Sequence, residues 1–114
     1  MTRMIYHMCP EAVWTASVAA GRYDGTEDDR RDGFIHFSTA AQIAESARRH
    51  RAGQSGLLLI SVDADALGHR VRWETSRGGD LFPHLYGPLL PDEAAKIEKL
   101  PLGPDGNHVF PPLT

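Results

Sequence analysis

The segment Leu57-Leu58-Leu59-Ile60-Ser61-Val62 constrains the fold more than any other part of the chain. Its apolar residues run on without the gaps that would leave one face for water. Such a run reads as an interior strand covered on both faces. The chain has 114 residues, enough for one domain with a real core and hardly for two. Residues 1–114 are therefore read as a single domain built around this strand.

The elements before it follow from local pattern. Met4 to Cys9 reads as a first strand, with Ile5, His7 and Cys9 on one face and Met4, Tyr6 and Met8 on the other. Pro10 and Glu11 suit the first turn of a helix over about residues 11–20, with Gly21 as its stop. Val13, Trp14, Ser17 and Val18 would form its inward face. Residues 22–32 are polar and hold no apolar period, so they read as a mobile loop. Gly33-Phe34-Ile35-His36-Phe37-Ser38-Thr39 then reads as a strand running into a helix cap, a good place to hold a polar group rigidly. Phe34, His36 and Ser38 face one way, Ile35 and Phe37 the other. Thr39 to Gln42 has the spacing of a capping box, opening a helix to about Arg51 that packs through Ile43, Ala44 and Ala47.

After the interior strand, Asp63 to Gly68 makes a turn or one helical turn, and Val71 to Glu74 a short strand. Thr75 to Asp80 is a glycine-rich loop able to pass close to a ligand. Leu81 to Pro88 is extended, but its prolines argue against an interior strand. Pro91 begins a third predicted helix, with Ala94, Ile97 and Leu100 inward, and Val109-Phe110 is the one tail segment suited to an edge strand. The sum is an α+β domain, a mixed or antiparallel sheet packed with about three helices.

Composition narrows the partners. The net charge is -3 with histidines neutral, which argues against a nucleic-acid partner. The only basic run, Arg48-Arg49-His50-Arg51, falls at a predicted helix end, where cations complement exposed carbonyls. One cysteine, Cys9, allows no internal disulfide. No apolar stretch is long enough for a signal peptide or a membrane span, so a cytoplasmic protein is expected.

Four residues are candidates for chemistry: His7, His36, Glu74 and His84. His7 and His36 lie in predicted strands that precede helices, whose ends can converge on one crevice. The plain alternative for each is a hydrogen-bonded core histidine. Glu74 precedes the glycine-rich loop, and reads either as a surface carboxylate paired with Arg72 or Arg77 or as an acid beside a pocket, binding a ribose hydroxyl or stabilising positive charge. His84 sits between Pro83 and Tyr86 in the extended segment. No histidine pair has the short spacing of a metal motif, and nothing marks Cys9 as activated, so no metal or cysteine nucleophile is assigned.

The combination of Ile5-Tyr6-His7, Trp14 with Gly21 and Tyr23, Gly33 to Thr39 with Gln42, Trp73-Glu74, and Phe82-Pro83-His84-Leu85-Tyr86-Gly87-Pro88 resembles the domain of unknown function 952 family. These are small bacterial and plant proteins, some fused to other domains. The resemblance covers nearly the whole chain, and the central stretch and Pro83 to Gly87 are its specific parts. The family is distantly similar to the ADP-ribosyltransferase superfamily, including the RNA 2′-phosphotransferases. Those proteins hold NAD or an ADP-ribose-like group between split, mostly antiparallel sheets. That resemblance implies His7 at the first-strand position, His36 with Ser38 and Thr39 on a second strand, and Glu74 or His84 at a third. It also implies NAD or a related nucleotide as ligand, with Tyr86 stacking on a ring, and ADP-ribosyl or phosphoryl transfer as the reaction class. The chain lacks the superfamily's His-Gly and Glu-x-Glu pairs, since Met8 follows His7, and Thr75 and Ser76 follow Glu74. The alternative is a non-catalytic ligand-binding or accessory domain using the same pocket.

Overall fold

The computed structural model of the chain describes residues 3–113, the Arg77 side chain excepted. Strand β1 (Met4–Pro10) pairs antiparallel with β3 (Leu57–Asp63), and β3 pairs antiparallel on its other side with β6 (Ala94–Leu100). A second antiparallel sheet has the order β2 (Ile35–His36), β5 (Asp80–Leu85), β4 (Val71–Ser76). The helices are α1 (Glu11–Ala20), α2 (Glu27–Asp32), α3 (Ile43–His50) and the single turn α4 (Ala64–Leu67). The α+β class holds, and the sheet component is two small antiparallel sheets. No helix among the described residues is long and apolar enough to cross a membrane.

The apolar run explains the layering. β3 is the central strand of the first sheet, and its residues alternate between two cores. Leu58, Ile60 and Val62 pack with Ile5, Cys9, Trp14, Tyr23 and Phe37 on one side. Leu57 and Leu59 pack with Tyr6, Met8, Ile43, Ala47 and Leu100 on the other. Each of the β3 leucine, isoleucine and valine side chains, fully buried, contributes about 1.5–3 kcal/mol. The two sheets meet at one bridge, where Tyr6 and Ser38 exchange backbone hydrogen bonds, both of 2.8 Å.

Several expectations are corrected. Residues 22–32 are not all loop, because Glu27–Asp32 forms α2. Pro91 opens only a 3-10 turn, Pro91–Glu93, and the residues expected to continue a helix form β6. Ala, Lys, Glu and Leu favour helix locally, but β3 needs a second partner for its backbone, and that pairing overrides propensity. Pro83 lies in the central strand of the second sheet. In an antiparallel strand a residue's N–H and C=O point to the same side. The Pro83 carbonyl accepts from the Phe37 N–H at 3.0 Å, so its missing N–H faces the point where β2 ends. The pairing of β5 with β4 loses nothing. On α1 only Trp14 is buried, while Val13 and Val18 are exposed. Val109-Phe110 forms no strand; among the described residues the tail holds a single bridge, Leu102 with His108.

Candidate functional site

His7 sits in the middle of β1, buried beneath the second sheet. Its Nδ1 lies 2.6 Å from the His36 carbonyl oxygen and its Nε2 2.6 Å from the Tyr23 hydroxyl. A carbonyl only accepts, so the ring hydrogen is on Nδ1 and Tyr23 donates to Nε2. Burial supports that assignment. It pushes the His7 pKa below its ordinary value, against the pull of Asp29, and pushes the Tyr23 hydroxyl well above the usual tyrosine range. Both ring nitrogens are thus engaged within the fold.

Asp29 is the polar centre of this interior half. It is 2 % exposed, and α2 exists to deliver it. Thr26 and Asp29 cap the helix reciprocally: the Asp29 N–H donates to Thr26 Oγ1 at 3.4 Å and the Thr26 N–H to Asp29 Oδ2 at 2.8 Å. Oδ1 accepts from the His36 backbone N–H at 3.1 Å and lies 2.5 Å from His36 Nδ1. Oδ2 is 3.6 Å from His7 Nε2. Burial alone would raise the Asp29 pKa. The hydrogen bonds from the His36 ring and from the backbone N–H groups of Thr26 and His36 outweigh it and hold the pKa at about 2. Gly25 makes room for this carboxylate. Its φ is +95°, and a Cβ there would stand 2.5 Å from Asp29 Cβ.

His36 turns from this cluster toward solvent. Its side chain is 41 % exposed, and Nε2 lies 3.1 Å from Asp32 Oδ2. With a carboxylate on each nitrogen, both contacts are donated only by the doubly protonated ring. Phe34 packs on His36 at 4.6 Å and stacks on His84 at 4.0 Å between ring centroids, and the two imidazoles are 5.6 Å apart.

His84, on β5, is buried, with Nδ1 2.8 Å from Glu74 Oε1 on β4. The same oxygen accepts from the Tyr86 hydroxyl at 2.8 Å. The bonds from His84 and Tyr86 hold the Glu74 carboxyl below its ordinary range and raise the Tyr86 hydroxyl in turn. The Arg72 guanidinium lies over the Tyr86 ring at 4.6 Å. Glu74 fixes the hydrogen on His84 Nδ1, and Nε2 carries no hydrogen bond from the described residues. That nitrogen can accept a proton or hydrogen bond from a ligand.

The pocket opens where the two sheets part. It has a volume of about 270 Å³, and His7, His36 and His84 all line it. Ser38 lines it too and is hydrogen-bonded to Ser46 on α3, Oγ to Oγ at 2.9 Å. Glu74 and Tyr86 stand behind His84 rather than on the pocket surface. Thr39 lies outside it, its N–H donated to Gln42 Oε1 at 3.0 Å. Cys9 is buried, and burial pushes its thiol up, away from the thiolate a nucleophile requires. Among the described residues no three His, Cys, Asp or Glu side chains are grouped to hold a metal ion.

The family model described as "Protein of unknown function (DUF952)" matches residues 8–97. The chain belongs to this family. Its DUF952 fold is similar to the crystal structure of protein CC0527 from Caulobacter crescentus, with 43 % identity, a TM-score of 0.90 and 93 % of each chain covered. The solution NMR structure of CC0527 gives 44 % identity and a TM-score of 0.83, covering 91 % of this chain and 90 % of that one. No curated protein matches the chain.

Local pattern in the DUF952 sequence singles out the three histidines and Glu74 as candidates, and the fold brings all four into one contiguous cluster. Asp29, Tyr23 and Ser46 are not among those candidates. The signal for Asp29 was present: Thr26-Glu27-Asp28-Asp29 is a capping-box spacing, and Gly33 follows as a left-handed stop with φ +87°. Tyr23 and Ser46 gave no comparable local signal, since their roles depend on which strand and loop they face.

Proposed function

We propose that this DUF952 domain is an ADP-ribosyltransferase-like module that binds NAD or a related nucleotide in the cleft between its two sheets. The observation that carries the reading is the position of the histidines. Three of them, from β1, β2 and β5, line one pocket at the split of the sheets, two held by carboxylates at 2.5 and 2.8 Å. In this reading His84 Nε2 is the acceptor that meets a ribose hydroxyl or the attacking group. Glu74 orients it, and Tyr86 steadies Glu74. His36 and Ser38 contact the ribose or phosphate, and Thr39 anchors the turn that presents Ser38. His7 holds the His36 carbonyl in place. The pocket, at about 270 Å³, is just under the usual range of about 300–1,000 Å³ for small-molecule sites, so part of a nucleotide would lie over its rim.

A second reading is ligand binding without turnover. The saturation of His7 and Asp29 by internal partners favours it, since groups so engaged are scaffolding. Thermal-shift and NMR titrations with NAD, ADP-ribose and a nucleotide panel test the first point, repeated with His36→Ala. Stabilisation by one nucleotide class, lost in the variant, supports a nucleotide site. No stabilisation by any of them rejects it. Turnover of NAD, abolished by His84→Ala, would reject the second reading.

A further inference from the structure

The basic run at the end of α3 reads in sequence as helix-end surface charge. In the fold its last two residues, His50 and Arg51, line the histidine pocket. Arg51 is half-buried, and its backbone alone caps the helix, with its N–H donated to the Ala47 carbonyl at 2.8 Å. Among the described residues no carboxylate or carbonyl accepts from its guanidinium.

The carboxylates of the pocket already have partners. Asp28 takes Arg31 at 3.0 Å, and Asp32 takes Arg31 at 3.2 Å and His36 at 3.1 Å. Asp29 is filled by His36 and Thr26. Arg31, the other arginine among the described residues of the pocket, is therefore neutralised, and Arg51 is not. A partly desolvated guanidinium with five donors and no acceptor is matched by an oxyanion. Across the same pocket the Ser38–Ser46 pair supplies hydroxyls of the kind that complete a phosphate's hydrogen bonds.

We infer that Arg51 is the anion anchor of this pocket, taking a phosphate or diphosphate group and thereby setting the orientation of the ligand. The inference deepens the nucleotide reading and names its charged end: phosphate toward Arg51 and the Ser38–Ser46 pair, the reacting sugar toward His36 and His84.

The test is an NMR titration of wild type and Arg51→Gln with three probes: inorganic pyrophosphate, ADP-ribose and uncharged adenosine. Arg51→Gln keeps the backbone cap, and an unchanged amide spectrum elsewhere verifies the fold. The expected result is that pyrophosphate shifts the amides around Arg51, Ser38 and Ser46 in wild type. In the variant its affinity falls by about tenfold to a hundredfold, the range of lost charge-assisted hydrogen bonds. Adenosine binding, if any, is unchanged. Pyrophosphate without effect at those amides overturns the anchor, as does equal affinity in both proteins. ADP-ribose bound equally by both removes Arg51 while leaving the nucleotide reading intact. Pyrophosphate binding lost in the variant, with ADP-ribose silent, keeps the anchor and removes the nucleotide.

Discussion

Asp29 and Glu74 each hold a histidine of the same pocket, Asp29 from the interior and Glu74 from the part-exposed outer rim of the second sheet, behind His84. Asp29 is 2 % exposed and accepts from two backbone N–H groups besides the His36 ring. Glu74 is 38 % exposed and accepts from two side chains only, His84 and Tyr86. The chemical groups are nearly identical, but their duties differ. An interior carboxylate must have its oxygens satisfied, because an unpartnered buried charge is costly. Once satisfied it fixes β2 against α2 and is not available to a ligand. A rim carboxylate stays solvated, adds little to stability, and can orient a ring whose second nitrogen remains open. One pair builds the pocket wall, and the other leaves a ring nitrogen without a partner among the described residues.

The largest test of this contrast is Asp29→Ala. It strips acceptors from Thr26 and His36 at once, and a loss of about 3–5 kcal/mol is expected in urea unfolding. A loss below about 1 kcal/mol would place the interior half on the same footing as the rim. Acid titration of the wild type gives a smaller effect from the same group. The folded pKa of Asp29, about 2, lies below its ordinary value of 3.8. Its contribution of about 2 kcal/mol is therefore present above pH 4 and lost as the pH falls from about 4 through about 2. Burial also depresses the folded pKa of His7 below 6.5. The unfolded chain takes up that proton first, so stability begins to fall as the pH drops below about 6.5. Thermal unfolding across pH 7 to 2 checks both, and in Asp29→Asn the lower limb should shrink, with the other depressed carboxyls such as Glu74 left to shape it.

Tyr23→Phe comes next. It leaves His7 Nε2 without its donor in the interior, for an expected loss of about 1–3 kcal/mol by chemical denaturation. Glu74→Gln closes the series. It should leave the Tm nearly unchanged, because Glu74 itself is part-exposed and a glutamine carbonyl can still accept from His84 and Tyr86. Any ligand that shifts His84 in NMR should bind more weakly to it. If Glu74→Gln instead unfolds the protein, the rim pair is structural and the division between the two carboxylates fails.

Much of the fold was legible where a local rule met a strong pattern. The apolar run became the central strand, Pro10 and Gly21 bounded the first helix, and alternation placed His7 with Ile5 and Cys9. The misreadings have a common cause. Ala94–Leu100 is helix-like by composition and became a strand because β3 had an open edge. Pro83 entered a central strand because its missing N–H fell at the end of β2. Both outcomes depend on a partner distant in the chain, which no local pattern encodes.

The sequence by itself determined which residue types could do chemistry here: histidines in strands, a glutamate before glycines, a single cysteine, no basic surplus. Periodicity and turn residues are local properties, and they suffice for that list. Only the tertiary structure decided how those residues divide. It buried His7 and gave it Tyr23, it brought Asp29 from a polar stretch into the interior, and it set His84 and Arg51 in the lining of the pocket. Burial and hydrogen-bond saturation are set by contacts across the whole chain, and they separate a histidine that supports a site from one that can act in it.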